Sequence, residues 1–300
     1  MMITTLDQIV ERVKGTPTKR LAVAVAEDPH TIEAVGRAVR EKLVHATLTG
    51  DRTAIQKVAD ESKIDTGLFE IVHEPDKAKA LMLAIDKVRS GQADFLMKGL
   101  LDSSVYIRGI IDKERGLLPP GKLLSHVTVI QVPAWKKLII CGDVAVIPAP
   151  DLEAKIAILN YTIAVAHRLG IDMPKAALLS AVEKVTPKMP STTDAAIISK
   201  MAERGQIKGA IVDGPLAFDI AFSEESARIK GVKSPVAGDA DILIFPNIES
   251  GNIFFKASTY LAQGELGAVV AGAICPCVLT SRGDSDENKF YSIALASLLS

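Results

Sequence analysis

The segment RLAVAVAE, residues 20–27, is a short run of small and branched apolar residues, and a helical pattern follows it from about His30. The same succession recurs along the chain, which is typical of parallel strands joined by helical crossovers. The sequence therefore predicts an α/β fold. The other strand-like runs are HATLTGD (45–51), FEIVHE (69–74), ADFLMKG (93–99), KAALLSAV (175–182), GAIVDG (209–214), DILIFP (241–246) and AICPCVLT (273–280).

Two further strand-like runs, LLSHVTVIQVP (123–133) and WKKLIICGDVAVI (135–147), have no helical pattern between them. A hairpin or a domain crossing is expected there. A chain of 300 residues favours two domains, and no long linker separates them. We therefore expect a discontinuous first α/β domain, residues 1–132 plus 272–300, and a second α/β domain, residues 133–271.

The charge balance gives no reason to expect a nucleic acid or membrane partner. Lysine and arginine number 35, aspartate and glutamate 36, and only 4% of residues are aromatic. The N-terminus lacks the continuous apolar core of a signal peptide. The run LGAVVAGAICPCVL (266–279) is shorter than a spanning helix and is predicted to be one buried strand.

The three cysteines, Cys141, Cys275 and Cys277, do not combine with His126 or His167 in a zinc-like spacing. We interpret them as small core residues of a cytoplasmic protein. No metal site is expected.

Four turns between a strand and a helix carry polar residues that suit a ligand. In parallel sheets, ligands bind where the carboxyl ends of strands meet the N-termini of helices. The chain has no GxxxxGK[ST] motif and no dinucleotide fingerprint, which disfavours nucleoside triphosphates. The four turns are MKGLLDSS (97–104), VDGPLAFD (212–219), FPNIESGN (245–252) and TSRGDSDEN (280–288).

The turn TSRGDSDEN combines a phosphate-binding cation with several carboxylates. Gly283 permits a tight turn, Arg282 can bind a phosphate through two donors, and Asp284 and Glu287 have the spacing of a capping box. In the alternative interpretation, these acids and Asp286 merely suit the first turn of a helix. Together, the cation and the bases predict a reaction between a phosphate and an acidic nucleophile.

At these turns the sequence resembles the phosphate acetyl/butyryltransferase family, and its butyryltransferase branch most closely. The resemblance extends from ADFLMKG to the last residue. Its most specific parts are VDGPLAFDIAFSEESARIKGVKSPVAGDADILIFPNIESGN (212–252) and LTSRGDSDENKFYSIALA (279–296).

The resemblance implies reversible transfer of a short-chain acyl group between coenzyme A and inorganic phosphate. It also implies a two-domain, three-layer αβα fold of the isocitrate/isopropylmalate dehydrogenase-like type, with the active site in the interdomain cleft. Coenzyme A is then a substrate, no bound cofactor is required, and a homodimer or higher homo-oligomer is expected.

Carried onto this chain, the resemblance assigns Ser281 and Arg282 to the phosphoryl group and to charge developing at the carbonyl. Acetyl-type relatives carry a proposed aspartate base seven residues beyond the serine, where this chain has Asn288. An amide cannot accept the thiol proton, so Glu287 or Asp286 substitutes, or the proton leaves by another route. Asn288 itself is kept as a substrate contact.

Further substrate contacts are expected at strand ends. Asp213, Gly214 and Pro215 come directly after a strand, where Asp213 caps the next helix or holds the cleft wall. Lys98 and Ser125 are expected to face the cleft, and Lys98 is preferred as a ligand contact because a strand-end cation is costly unless paired.

Four other residues complete the predicted site. Arg108 matches the position of a second arginine in relatives, and the less favoured alternative is a solvated arginine on the helix surface. Gly251 and Asn252 are expected to let the backbone approach a ligand. Lys256, one turn into that helix, is either a contact for a coenzyme A phosphate or a surface lysine.

Two other functions remain open from the sequence. One is a metal-dependent decarboxylating dehydrogenase on the same fold, which requires convergent aspartates that are not evident. The other is a catalytically altered protein that binds coenzyme A or acyl phosphate, an alternative that Asn288 supports.

Overall fold

A computed structural model describes residues 2–281 and 283–300. The chain divides into two compact units. The terminal unit consists of Leu6–Leu124 and Glu265–Ser300. The middle unit consists of Ser125–Gly264 together with residues 2–5. The crossings between the units therefore come a few residues earlier in the chain than the predicted boundaries at 132 and 272.

The helices and strands follow one another in three stretches of chain. The first contains α1 (Leu6–Lys14), β1 (Lys19–Ala24), α2 (Pro29–Arg40), β2 (Val44–Gly50), α3 (Arg52–Glu61), β3 (Glu70–His73), α4 (Lys77–Arg89), β4 (Phe95–Lys98) and α5 (Ser103–Ile110). The second contains β5 (Ser125–Gln131), β6 (Ile139–Gly142), α6 (Leu152–Arg168), β7 (Lys175–Leu179), α7 (Pro190–Glu203), β8 (Ile211–Leu216), α8 (Phe218–Phe222), α9 (Glu224–Lys230), β9 (Ile242–Ile244) and α10 (Ile248–Tyr260). The third contains β10 (Glu265–Ala271), β11 (Cys277–Val278) and α11 (Asp286–Leu299).

In the terminal unit the strands lie in the order β3-β2-β1-β4-β11-β10. All neighbouring pairs are parallel except β10 and β11. Ala24 pairs with Lys98, and Val278 pairs with Met97, so β1, β4 and β11 end at the same edge of the sheet. Helix α11 packs against β10, α1 and α2, and its first turn stands at that edge.

In the middle unit the strands lie in the order β5-β6-β9-β7-β8. β5 and β6 pair antiparallel, so of the two predicted alternatives, a hairpin or a domain crossing, the hairpin is present; the other neighbouring pairs are parallel. Helix α6 begins after Asp151, whose side chain caps it by accepting a hydrogen bond from Ala154 N at 2.8 Å. Each unit is a sheet packed with helices, and the predicted α/β three-layer class is confirmed.

The segment 266–279 is not the single buried strand that the sequence predicted. β10 ends at Ala271, the chain reverses, and β11 returns antiparallel to it. Gly272 has a φ of 102°, a left-handed conformation that glycine adopts without steric cost, and this explains the reversal.

The three cysteines are buried free thiols, as predicted. In the part of the chain that the structure describes, no helix has both the length and the apolar character needed to cross a bilayer.

Candidate active site

The predicted site residues are distributed over both units. Those in the terminal unit are Lys98, Arg108, Ser281, Gly283, Asp286, Glu287 and Asn288. Those in the middle unit are Asp213, Gly214, Pro215, Gly251, Asn252 and Lys256. Arg282, the predicted phosphate ligand, lies outside the described residues.

Ser281 lies three residues beyond the end of β11, at the carboxyl edge of the terminal sheet. The residue is exposed, whereas its backbone N–H donates a hydrogen bond of 2.7 Å to Oδ2 of the buried Asp284. The N–H of Gly283 donates to Ser281 Oγ at 3.4 Å. The turn therefore exposes a serine residue whose backbone N–H is fixed by a buried carboxylate.

Helix α11 begins one residue later than the predicted capping box requires. Its N-cap is Ser285, whose Oγ accepts from Asn288 N at 3.2 Å, and not Asp284. The carboxylate of Asp284 is already bound to Ser281 N and does not cap the helix. The next hydroxyl in the sequence supplies the cap instead.

Lys289 was not singled out from the sequence, yet it lies directly beneath the Ser281 turn. Its side chain is buried, and Nζ donates to Ser281 O at 3.2 Å and to Thr280 Oγ1 at 3.4 Å. Burial lowers the pKa of Lys289, and the charges of Asp28, Asp284 and Asp286 oppose that change. The only signal in the sequence is a cation in the first turn of a helix, where the helix dipole disfavours positive charge.

Glu287, one of the two candidate bases, forms an ion pair with a neighbouring helix. Its Oε2 accepts from Nη1 of Arg37 on α2 at 2.6 Å. The same guanidinium donates to Glu41 at 2.8 Å and lies 3.7 Å from the centroid of the Phe290 ring. The carboxylate of Glu287 therefore has a structural partner.

Asp286, the other candidate base, is exposed at the first position of α11. Its carboxylate lies near His30 and Glu33 of α2, with one ligand-type atom of each residue within 4.8 Å of the others. Such a group can hold a divalent cation, but exposed acidic groups of this kind are common without one. The geometry leaves Asp286 accessible as a proton acceptor.

Asn288 points its side chain inward. The residue is 8% exposed, and its Oδ1 accepts a hydrogen bond of 3.0 Å from Leu266 N at the start of β10. The amide therefore joins α11 to the sheet. Its predicted substrate contact stays a prediction, and the oxygen already has a structural partner.

Lys98 is buried at the end of β4, where Nζ donates to Gly99 O and Leu101 O at 3.2 Å each. These carbonyls belong to the loop that leads to α5. Arg108 is exposed on α5. Lys98 thus stabilises the loop beside the Ser281 turn, because β4 and β11 are neighbouring parallel strands.

In the middle unit, Asp213, Gly214 and Pro215 lie inside β8 and not after it, which corrects the predicted strand end. Asp213 does not cap the next helix, because its Oδ1 accepts from Gly214 N at 2.8 Å and the N-cap of α8 is Ala217. β8 ends the strand order of this unit, and an edge strand tolerates the missing N–H of a proline.

Gly251 and Asn252 of α10 lie against the loop after β6. A Cβ on Gly251 would come within 2.4 Å of Asp143 O, and Asn252 Nδ2 donates to Val144 O at 3.1 Å. The close backbone approach expected at Gly251 is therefore made to the protein's own chain. Lys256 is half-buried, with Nζ 4.5 Å from the centroid of the Phe255 ring.

Comparison with known proteins identifies the family. The family model described as "Phosphate acetyl/butaryl transferase" matches residues 4–80 and 68–297. The chain is 47% identical over 298 residues to the phosphate butyryltransferase of Clostridium acetobutylicum, covering 99% of each chain. It is 43% identical over 293 residues to the phosphate acetyltransferase of Thermotoga maritima, covering 98% of this chain and 99% of the relative.

Structural comparison gives the same result. The crystal structure of a branched-chain phosphotransacylase from Enterococcus faecalis matches with a TM-score of 0.82 and 32% identity, covering 94% of this chain and 99% of that one. The chain therefore belongs to the phosphate acetyl/butyryltransferase family. The predicted family and the predicted enzyme class, a phosphate acyltransferase, are confirmed.

Proposed function

We propose that the chain catalyses the reversible reaction of a short-chain acyl-CoA, butyryl-CoA or a close analogue, with inorganic phosphate to give acyl phosphate and free coenzyme A. The observation that carries this proposal is the exposed Ser281 on a turn fixed by Asp284 and Lys289, next to the N-terminus of α11. Family membership and the relatives of nearly equal length support it.

In the direction of acyl-CoA synthesis, the sulfur of coenzyme A adds to the carbonyl carbon of the acyl phosphate. A thiol with a pKa of ~8.5 is mostly protonated at neutral pH, so a base that accepts its proton assists the attack. The oxyanion then collapses, and the bond between the carbonyl carbon and the phosphate oxygen breaks. Phosphate leaves, and no redox step is involved.

Within this reaction, Ser281 donates a hydrogen bond to the developing oxyanion, and Arg282 neutralises the phosphate. Preorganised donors of this kind commonly contribute ~3–4 kcal/mol each to transition-state stabilisation. We assign the proton to Asp286 and not to Glu287, because Asp286 is exposed at the helix N-terminus whereas Glu287 is paired with Arg37.

The remaining predicted contacts have secondary roles. Arg108, exposed on the helix that follows β4, is the proposed second cation for the phosphate, and Lys256 is proposed to bind a coenzyme A phosphate. Lys98 holds the loop that leads to the helix of Arg108, and Gly251 and Asn252 hold the helix of Lys256 against the loop after β6.

Several expectations of the family resemblance belong to the same proposal. They are an isocitrate/isopropylmalate dehydrogenase-like arrangement with an interdomain active site, a homodimer or higher homo-oligomer, and activity without a bound cofactor. A cytoplasmic location is also proposed, and three buried free thiols suit a reducing compartment.

The test measures free coenzyme A with a thiol reagent while butyryl-CoA and phosphate are varied, with and without EDTA. We expect phosphate-dependent thiol release that EDTA does not change. No such release across short- and medium-chain acyl-CoAs would refute the proposal. Arg282→Ala should raise the phosphate KM and lower kcat together, whereas the exposed Arg204→Ala serves as the matched control.

A further inference from the structure

The backbone of Ser281 is bound on both sides by charged side chains that come from the residues after it. Its N–H donates to Asp284 Oδ2 at 2.7 Å, and its carbonyl accepts from Lys289 Nζ at 3.2 Å. Asp284 is 7% exposed and Lys289 is 4% exposed, whereas Ser281 itself is exposed. Two buried charges therefore hold the backbone of one surface residue.

A buried ammonium at this position does not serve packing alone. Burial of a charge is unfavourable unless it is paired and hydrogen-bonded, and an apolar side chain of similar length would fill the same space. The position is also in the first turn of α11, where the helix dipole repels a cation. Both costs are consistent with a specific contact that only a long cationic donor can make.

Three carboxylates act electrostatically on the buried lysine. Burial lowers the pKa of Lys289, and Asp28, Asp284 and Asp286 raise it. Asp28 caps α2, Asp284 lies in the turn before α11, and Asp286 is the first residue of α11. The carboxylates therefore favour the charged form of Lys289, whose Nζ binds the Ser281 carbonyl.

We propose that Lys289 is a positioning residue for catalysis: together with Asp284 it clamps the backbone of Ser281 and so fixes the direction of the Ser281 hydroxyl. The inference rests on the proposed function, because it assigns a purpose to the orientation of that hydroxyl. A catalytic donor held on a rigid backbone contributes more than one that must be ordered during the reaction. Lys289, which is 4% exposed, acts in this proposal through the Ser281 backbone and not by contact with the substrate.

The principal test is Lys289→Met, which keeps the length of the side chain and removes the ammonium. Because small misplacement of a catalytic group can cost ~10²-fold in rate, we expect kcat to fall by about that factor with the acyl-CoA KM nearly unchanged. Lys289→Arg retains a cationic donor and should recover part of the rate. Asp284→Asn keeps an acceptor oxygen for Ser281 N, so its kcat should fall less than that of Lys289→Met.

Lys155→Met is the matched control. Lys155 is also buried, at 7% exposure, and is paired with Asp194 at 2.6 Å in the middle unit. This variant should lose stability but keep kcat. A general effect of removing any buried lysine would lower kcat in both variants, and this result would overturn the assignment of a positioning role.

Hydrogen exchange of the amides in residues 279–285 provides a readout that does not depend on activity. The clamp predicts faster exchange of Ser281 N–H in Lys289→Met, with exchange in β1 unchanged. Unaltered exchange together with wild-type kcat would refute the clamp. If Lys289→Met fails to fold, Lys289→Arg and Asp284→Asn are measured in the same way and decide the question by the same criteria.

The outcomes also separate this inference from the proposed function. A wild-type protein that releases no coenzyme A with any acyl-CoA would refute the function, while the exchange measurement would still decide whether Lys289 holds Ser281. An active wild-type protein with an unimpaired Lys289→Met variant would refute only the clamp.

Discussion

Arg37 Nη1 donates a hydrogen bond of 2.6 Å to Oε2 of Glu287, and this ion pair joins α2 to the first turn of α11. Arg37 also binds Glu41 and lies over the ring of Phe290. Through these contacts of Arg37, Glu287 takes part in the packing of α11 against α2. This pairing supports the proposal that the neighbouring carboxylate, Asp286, accepts the thiol proton.

Glu287→Gln should keep most of the wild-type kcat and lose about 0–1 kcal/mol of stability, because a partly exposed ion pair contributes little. Asp286→Asn should lower kcat strongly and leave the melting temperature nearly unchanged. Steady-state kinetics and thermal unfolding of both variants check this, with Glu41→Gln as control for loss of an Arg37 partner. A larger loss of kcat in Glu287→Gln than in Asp286→Asn would reverse the assignment.

Ser281→Ala should lower kcat by ~10²–10³-fold with little change in either KM, because the lost hydrogen bond is made mainly to the transition state. Ser297→Ala is a matched control on α11, since in the described structure the buried Ser297 hydroxyl has no hydrogen-bond partner. The control should keep full activity. Equal rates in the two variants would remove Ser281 from the reaction.

Asn288→Ala should destabilise the protein by about 1–3 kcal/mol, because Leu266 N would lose its acceptor in a buried environment. Urea unfolding followed by circular dichroism measures the change. Asn288→Asp keeps the acceptor but buries a negative charge, so it should also be less stable than the wild type. Neutral stability of Asn288→Ala would show that the contact with β10 contributes nothing.

The middle unit should lose stability in acid through Asp239. Burial opposes ionisation of this carboxyl, but hydrogen bonds from Lys137 and Lys175 outweigh it and lower its pKa from 3.8 to about 2. A folded-state pKa below the unfolded value contributes stability above pH ~4 that is lost as pH falls towards 2. Asp239→Asn should therefore be less stable than wild type at neutral pH and match it near pH 2.

Fluorescence of Trp135, the single tryptophan, reports unfolding of the middle unit in these experiments. Urea midpoints at several pH values between 2 and 7 give the comparison. The exposed Asp172→Asn is the control and should follow the wild type. A constant difference between Asp239→Asn and wild type at every pH would exclude this carboxyl as the source of acid sensitivity.

Much of the fold was readable because apolar periodicity is a local property. The strands from RLAVAVAE to DILIFP and the helix near His30 occur where the pattern predicts them. The exceptions have physical causes: Gly272 reverses a run that is apolar throughout, and the edge strand β8 accepts the Gly214–Pro215 pair that usually marks a turn.

The candidate site was harder to predict from the sequence. Some of its contacts join residues that are distant in the chain, and at the start of α11 two neighbouring residues suit the same role as helix cap. Arg37 and Glu287 are 250 residues apart, and nothing in TSRGDSDEN indicates that pairing. Ser285 and Asp284 both suit a helix cap, and only the contact of Asp284 with Ser281 N decides between them. Lys289 became significant only when its burial was known.

The position of β11 in the sheet has a consequence for synthesis of the protein. During synthesis β4 leaves the ribosome long before β11. Until β11 has emerged, the side of β4 that faces it is an open edge with unpaired backbone groups. The whole middle unit must emerge before residues 277–278 can cover that edge. A fragment that ends within the middle unit therefore leaves that edge of β4 uncovered, and such an edge is prone to aggregation.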